Sequence, residues 1–298
     1  MFIKFSPAQL LVLLPLLGLA NAAPSKPSST DISSITASAT HSHTKSKTSA
    51  APESLSTSTK PSVLAAGNLN PTCAPGGNFD LSKWTLQLPI GSTGHPTSIT
   101  GAKLSSCTGY QDPEKEYFYT SSTDGSLVMK VPGSPSSTGC VTTTNSLHCR
   151  TELREASPSS WDPSAATNRL SATLTVVTAD DSSHGTVIGQ IHIDDSVSTK
   201  PVCELFYNSK GVLSMGVEQT RSGGNEIVTE VGSVPVGQQF SYEIAYEGGE
   251  LSVAINGGAA KKLSTYSLNN PKSYFKAGNY NQGNSKSEVH FYAIDVKH

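Results

Sequence analysis

The sequence predicts an all-β fold, a jelly-roll β-sandwich in which a concave sheet forms a groove. From residue 78 to the C-terminus, short runs alternate apolar with polar residues, which is the period of a strand with one buried face. Clusters of Gly, Asn, Ser, Asp and Pro separate these runs, as turns do. No window of helical length shows the 3.6-residue periodicity of an amphipathic helix. Many short strands without helices indicate two packed sheets.

The first 66 residues lie outside this predicted fold. Residues 1–22 have the pattern of a secretory signal peptide: Lys4, an apolar run at 10–20 that is too short to span a membrane, and a small-residue cleavage site. Residues 23–66 are rich in Ser and Thr and contain no aromatic residue, which predicts a disordered linker with the composition of an O-glycosylated stalk. We therefore expect a secreted, extracellular protein without a membrane segment, whose folded β-jelly-roll domain is residues 67–298.

Strands follow one another along the domain. The first run, at 78–89, places Trp84, Leu86 and Leu88 at alternate positions and therefore has one buried face. Similar runs predict strands at 117–120, 127–130, 150–154, 170–177, 187–193, 202–208, 213–219, 240–246, 251–255, 274–282 and 289–296.

Charge and length limit the possible partners. From residue 67 onward the chain has 16 Lys and Arg against 21 Asp and Glu, so the domain is not broadly basic and nucleic acid is excluded as a partner. A polyanion would have to be bound by a local cluster of cations. The length suits one domain, and we expect a monomer.

Five cysteines lie in the exported part of the chain. Cys140 and Cys149 bracket a Thr-rich segment that resembles a hairpin loop, so we predict that they form a disulfide. Cys203 alternates with apolar residues in a strand, which favours a buried free thiol. No Cys and His spacing indicates zinc, and we expect neither a metal nor another cofactor.

Three of the predicted strands have functional groups on one face and apolar residues on the other. On the strand at 274–282 the polar and aromatic face comprises Tyr274, Lys276, Gly278, Tyr280 and Gln282. On the other two strands the corresponding faces comprise Arg150, Glu152 and Arg154, and Gln190 and His192. Such faces suit a sugar-binding groove, because sugar rings stack on aromatic side chains while hydroxyls and carboxylates need fixed donors.

The motifs Arg-Thr-Glu-Leu-Arg at 150–154, Gln-Ile-His at 190–192 and Tyr-Phe-Lys-Ala-Gly-Asn-Tyr-Asn-Gln at 274–282 resemble the three signature regions of polysaccharide lyase family 7, the alginate lyases. The resemblance extends over about residues 78–298. It implies a concanavalin A-like jelly roll and cleavage of (1→4)-linked uronans by β-elimination without a metal cofactor. It also implies catalytic roles for Arg150, Gln190, His192 and Tyr280.

These residue types fit the chemistry of β-elimination. Removal of the C5 proton of a uronate adds negative charge to a group that is already ionised, so the carboxylate must first be neutralised. Arg150, Gln190 and His192 have the donors for this task. Loss of one such donor costs about 3 kcal/mol of barrier.

Tyr280 is the candidate for both the base and the acid. We expect its pKa to be lowered by Arg150 or Lys276, because a nearby cation favours the phenolate. For guluronate, in which the C5 proton points to the other face of the ring, His192 is the natural base.

The other polar residues are assigned to binding. We expect Glu152 to hold the two arginines in place. Neighbouring uronate units would be bound by Arg154, Lys200, Lys276 and Gln282.

Three alternatives remain at the level of sequence. A non-catalytic carbohydrate-binding β-sandwich would keep the aromatic and arginine contacts, and a glucuronan lyase would share the fold and mechanism. A glycoside hydrolase would need two carboxylates facing the scissile bond, and no strand has such a pair. The sequence does not decide between mannuronate and guluronate, or between endo and exo action.

Overall fold

The structure is a computed structural model that describes residues 68–298, so the predicted signal peptide and linker lie outside the described residues. Strands dominate this region, and only two one-turn helices interrupt them. The strands are β1 Trp84–Ser92, β2 His95–Thr100, β3 Phe118–Thr120, β4 Leu127–Val131, β5 Arg150–Glu155, β6 Arg169–Thr178, β7 Thr186–Ile193, β8 Pro201–Tyr207, β9 Val212–Val217, β10 Ile227–Ser233, β11 Gln239–Glu247, β12 Glu250–Ile255, β13 Lys261–Leu263, β14 Ser273–Tyr280 and β15 Ser287–Lys297.

The strands form two antiparallel sheets. The first has eight strands in the order β10-β9-β8-β7-β14-β5-β1-β2, and the second has seven in the order β13-β12-β11-β6-β15-β4-β3. Strands that are adjacent in a sheet are often distant in the chain, as in a jelly roll. The predicted all-β jelly-roll sandwich is confirmed.

The core lies between the sheets and follows from the alternation in the sequence. Leu153 of β5, Ile191 of β7 and Phe275 of β14 are fully buried, and they pack in one cluster with Leu174 and Phe291 of the opposite sheet. Because side chains alternate across a strand, the neighbours of these residues face outward from the eight-stranded sheet. That outward face contains the candidate site.

Three strands and the two helices were not predicted. The strands β2, β10 and β13 lie at or next to the edges of their sheets and are largely exposed, so they lack the apolar alternation by which strands are recognised in a sequence. The helices α1 Gly101–Leu104 and α2 Pro135–Thr138 are each one turn long, which is too short to show helical periodicity. Within residues 68–298, no helix is long and apolar enough to cross a membrane.

Two disulfides are present. The predicted Cys140–Cys149 bond is confirmed, with a Cα–Cα distance of 6.2 Å, and Cys203 is a buried free thiol as expected. The segment that this disulfide closes is not a β-hairpin, because its residues form turns between α2 and β5 rather than a strand pair. A second bond, Cys73–Cys107, joins the start of the described chain to the segment after α1.

Candidate active site

A cleft of about 590 Å³ lies on the outward face of the eight-stranded sheet. Most of the predicted site residues line it, namely Arg150, Arg154, Gln190, His192, Lys200, Lys276 and Tyr280. Glu152 is buried beneath it, and Gln282 lies in a neighbouring recess. The cleft therefore combines side chains that are far apart in the sequence.

The order of three central strands explains this convergence. β14 lies between β7 and β5, and its register places Lys276 opposite both Gln190 and Arg154. The same register places Tyr280 opposite Arg150 and Tyr274 opposite His192. Because directly opposed residues share a face of the sheet, the three sequence motifs form one surface.

Glu152 is the centre of a buried network. Its side chain is 1% exposed and forms ion pairs with Arg150 at 3.0 Å and Lys276 at 2.7 Å. Gln190 Nε2 donates to the other carboxylate oxygen at 2.5 Å. Burial opposes ionisation, but Lys276 and Arg150 hold the pKa of Glu152 below its ordinary value.

The predicted role of Glu152 is therefore wrong in two respects. We expected it to hold Arg150 and Arg154, but its second cation is Lys276, because Arg154 pairs with Asp195 at 2.9 Å. We also placed it among the substrate-binding residues, and it does not line the cleft. Its carboxylate instead fixes three donors from below.

Lys276 is buried among charges of both signs. Burial and the nearby Arg150 lower its pKa to about 8, while Glu152 opposes this shift. The ammonium group therefore retains its proton at neutral pH. Arg150 and Lys276 thus provide two positive charges in the cleft.

The position of Tyr280 is fixed from both sides of β14. The preceding residue, Asn279, points inward and donates to the Met129 carbonyl of the opposite sheet at 3.0 Å. On the outer face, the Arg150 guanidinium lies 3.6 Å from the centre of the Tyr280 ring, and the phenol oxygen is 3.2 Å from Ser146 Oγ. Ser146 also accepts a hydrogen bond from Arg150 Nη2 at 3.0 Å.

The expected lowering of the Tyr280 pKa is wrong. Burial raises the pKa of this phenol, and Arg150 opposes the rise only in part. The guanidinium stacks on the face of the ring and shares its charge with Glu152. Tyr280 is consequently a protonated phenol at neutral pH, which makes it a hydrogen-bond donor and a potential acid.

His192 has the opposite character. Its Nδ1 lies 2.8 Å from the Ile193 carbonyl, which can only accept, so this nitrogen is the one that has the hydrogen. Tyr274 OH is 2.9 Å from the same nitrogen and donates to Asp195. The lone pair is thus on Nε2. Burial and Lys276 lower the pKa of His192 to about 4, so the ring is a neutral, potential base.

Arg154 is held at the edge of the cleft by an aromatic and an acidic side chain. Its guanidinium stacks 4.2 Å from the centre of the Tyr274 ring and pairs with Asp195. Lys200 also lines the cleft, beyond β7 in the chain. Asp195 was not singled out in the sequence, since it lies in the turn after the motif strand.

Gln282 does not share the surface of the motif. β14 ends at Tyr280, and the backbone N–H of Gln282 donates to Asp180 Oδ2 at 2.6 Å in the following loop. Its side chain lies in a recess of about 410 Å³ that includes Ser146 and His148. The strand alternation therefore ends at Tyr280, two residues before Gln282, so it does not place Gln282 beside Tyr280.

Sequence reasoning also missed four residues of the cleft that bear on its chemistry. Ser146 comes from the loop closed by Cys140 and Cys149, and three carboxyl side chains come from β8 and from the loop between β9 and β10, namely Glu204, Glu218 and Glu226. The signal available for Glu204 was a single charged residue in an otherwise apolar strand, whereas the others lie in irregular segments. Among the residues that the structure describes, no group of three or more His, Cys, Asp or Glu side chains is arranged to hold a metal ion.

Comparisons with known proteins point to one family. A family model described as alginate lyase matches residues 79–298. An alginate lyase of Klebsiella pneumoniae is 26% identical over 76% of this chain and 91% of its own length.

Solved structures agree with this match. The alginate lyase A1-II', a member of polysaccharide lyase family 7, is 32% identical, with a TM-score of 0.64 over 76% of this chain and 98% of that one. A variant of A1-II' was solved in complex with the substrate GGMG and is 31% identical, with a TM-score of 0.64 over 76% and 97% of the two chains. An alginate lyase of Pseudomonas aeruginosa is 30% identical, with a TM-score of 0.61 over 74% and 99%.

Proposed function

The chain belongs to the alginate lyase family and is a polysaccharide lyase; from this premise we propose that it cleaves alginate by β-elimination at the cleft described above. The single observation that supports the proposal is that Arg150, Gln190, His192 and Tyr280 line one cleft. Together they provide the charge, the donors, the base and the acid that the reaction needs.

Neutralisation of the substrate carboxylate is assigned to Arg150 and Gln190. Both side chains are bonded to the buried Glu152, so their orientation is set before substrate arrives. Fixed donors stabilise developing charge without the reorganisation that water would require. With the carboxylate neutralised in this way, the C5 proton becomes acidic enough to be removed.

Proton transfer is assigned to His192 and Tyr280. The neutral imidazole has its lone pair on Nε2, and the phenol retains its proton, so His192 takes the C5 proton and Tyr280 donates to the departing O4. This division of labour suits guluronate, in which the two atoms are on opposite faces of the sugar.

Mannuronate requires a different use of the same residues. Its C5 proton and O4 lie on the same face, so Tyr280 would act first as the base and then as the acid. Because burial raises the pKa of Tyr280, this route depends on a small phenolate fraction. We therefore propose that guluronate linkages are cleaved readily at neutral pH and mannuronate linkages more slowly.

Hydrolysis is disfavoured by the arrangement of carboxyls. The side chains of Glu204 and Glu226 lie within interaction distance of each other, which leaves no room between them for a sugar or for water. Glu152 is buried and paired with cations, so it has no proton to donate to a leaving group.

A substrate assay tests the proposal. The protein is incubated with poly-mannuronate, poly-guluronate and glucuronan, and the ultraviolet absorbance of unsaturated ends is followed. Absorbance with the two alginate polymers and not with glucuronan is expected. Reducing ends without absorbance would indicate a hydrolase, and binding without either product would indicate a carbohydrate-binding module.

A variant pair links the activity to the cleft. Tyr280→Phe should abolish turnover while polymer binding is retained, because only the hydroxyl is removed. Tyr266→Phe is the matched control, since Tyr266 is exposed and lies outside the cleft. An equal loss of binding in Tyr280→Phe would assign this residue to recognition instead of proton transfer.

We also propose that the protein acts outside the cell. The two disulfides support this, because such bonds persist in oxidising compartments. Expression of the full chain in a secreting host should yield protein in the medium whose first residue is Ala23. Retention of residues 1–22 in intact intracellular protein would contradict the proposal.

A further inference from the structure

Three glutamates at one end of the cleft have no part in the elimination chemistry. Glu204 lies on β8, directly opposite Gln190 of β7. Glu218 follows β9, and Glu226 precedes β10. All three line the cleft, and acidic side chains are unexpected in a site for a polyanion.

The side chains of Glu204 and Glu226 lie within interaction distance of each other. Two carboxyls can form a hydrogen bond only if one of them is protonated. Gly216 of β9, which pairs with Glu204, makes this arrangement possible, since a Cβ at that position would overlap Glu226 Oε2. Burial raises the pKa of both carboxyls; Glu204 raises the pKa of Glu226 further, whereas the interaction with Glu226 lowers that of Glu204.

The surrounding charges balance this pair. Glu204 faces Arg150, Lys276 and Glu152, which together have one excess positive charge, and a proton-sharing pair has one negative charge. Glu226 faces Glu204 and Glu218. The pair therefore adds little repulsion toward an anionic polymer.

Glu218 is an acceptor without a donor. Glu218 is 5% exposed, and its Oε2 atom is buried with no hydrogen-bond partner among the described residues. Burial raises the pKa of Glu218, and the positive charge of Lys200 opposes this rise. A buried carboxylate oxygen of this kind is costly to the fold unless a ligand provides the missing donor.

The chemistry of a uronan limits what that donor is. At neutral pH its carboxylates and ring oxygens only accept hydrogen bonds, and its hydroxyls are its only donors. The three carboxyls are also not arranged to hold a metal ion. The complement to Glu218 is therefore a sugar hydroxyl.

Resting on the function proposed above, we propose that Glu204, Glu218 and Glu226 form a hydroxyl-binding subsite for the uronate unit next to the reacting one. Glu218 accepts a hydrogen bond from one hydroxyl of a vicinal pair, and the Glu204–Glu226 pair contacts the other. The cations at the centre of the cleft bind the carboxylate of the reacting unit. The cleft thus binds both the carboxylates and the hydroxyls of the polymer.

O-acetylated poly-mannuronate is the probe for this subsite, because acetylation removes the hydroxyl donors and leaves the carboxylates in place. The wild type should have a kcat/KM about tenfold or more lower on the acetylated polymer than on poly-mannuronate, since a hydrogen bond to a charged acceptor is lost. Glu218→Leu should raise KM on poly-mannuronate about tenfold with kcat unchanged, and should discriminate about twofold or less against acetylation.

Two further variants separate recognition from folding. Glu230→Leu makes the same change on β10 outside the cleft and should leave all constants unchanged. Gly216→Ala displaces the Glu226 carboxyl without deleting a charge and should raise KM in the same direction as Glu218→Leu. The melting temperature of Glu218→Leu should be equal to or above that of the wild type, because an unpaired buried oxygen is removed. Unchanged KM in Glu218→Leu, or discrimination equal to that of the wild type, would overturn the subsite.

Calorimetric titration in the Tyr280→Phe background measures binding without turnover. If the wild type forms no unsaturated ends, the proposed function fails, and the subsite is then judged by binding. Preference for the unacetylated polymer that disappears with Glu218→Leu would retain the subsite. Equal binding of both polymers by the Tyr280→Phe protein would refute it independently of activity.

Discussion

The opposite protonation states of His192 and Tyr280 predict that substrate preference changes with pH. The perturbation is a shift from about pH 6 to about pH 8, with poly-guluronate and poly-mannuronate as separate substrates. The proposed guluronate route uses neutral His192 and protonated Tyr280, which are the resting forms. The mannuronate route needs the phenolate, whose concentration rises with pH.

The size of the effect follows from the two pKa values. With a pKa of about 4, His192 is roughly 99% neutral at pH 6 and remains so above it, so its contribution is flat. The pKa of Tyr280 is raised above the ordinary value of 10, so its phenolate fraction rises tenfold per pH unit throughout this range. The ratio of kcat/KM for mannuronate over guluronate should therefore rise about a hundredfold.

Use of the ratio removes effects that both substrates share. Lys276, with a pKa lowered to about 8, begins to lose its charge at the upper end of the range and weakens binding of either polymer equally. The assay is the initial rate of absorbance increase at low substrate concentration in buffers of constant ionic strength. A ratio that stays constant from pH 6 to pH 8 would show that Tyr280 is not the base for mannuronate. A ratio that falls would contradict the assignment of both residues.

Further predictions concern the groups that hold the cleft. Glu152→Gln should destabilise the fold by about 3–5 kcal/mol in denaturant unfolding, because it leaves two buried cations without a counter-charge. Glu250 is an exposed partner of Lys262, so the control Glu250→Gln should cost less than about 1 kcal/mol. Similar costs for the two variants would refute the buried network. Ser146→Ala should lower kcat several-fold, about 1 kcal/mol, with an unchanged melting temperature, and an unchanged kcat would remove Ser146 from the positioning of Tyr280. The Cys140→Ser/Cys149→Ser double variant should have a lower kcat/KM, because the loop with Ser146 is released. The Cys73→Ser/Cys107→Ser double variant should lower stability only. Equal kinetics in the two variants would argue against a role of the Cys140–Cys149 disulfide in positioning Ser146.

The centre of the site was predictable because each of its residues lies in a short motif whose alternation shows which side chains share a face. Alternation in three short motifs fixed which side chains share a face, and β7, β14 and β5 proved to be neighbours, so Arg150, Gln190, His192 and Tyr280 line one cleft. Alternation fails where a strand ends, and for this reason Gln282 was misplaced. It also fails at sheet edges, where neither face is buried, so β2, β10 and β13 were missed.

What could not be predicted depends on distances between elements. The pKa of Tyr280 was expected to fall because cations were close in the sequence pattern, but the sign is set by burial and by the pairing of Arg150 with Glu152. The Glu204–Glu226 pair depends on the register of β8 with β9 and on a loop that returns over Gly216. No single-strand pattern contains these distances.

The buried carboxylate of Glu152 explains how a site for anions keeps its cations in place. Arg150 and Lys276 would repel each other across the cleft floor, and each would lose solvation on burial. Glu152 offsets both costs and at the same time orients Gln190, so that three donors have fixed directions before the polymer binds. Because one negative charge compensates one of the two positive ones, Arg150, Lys276 and Glu152 together keep one excess positive charge at the centre of the cleft. In the proposed reaction, the electrostatic cost of neutralising a uronate is thus met when the protein folds, and the cleft does not have to reorganise when the C5 proton leaves.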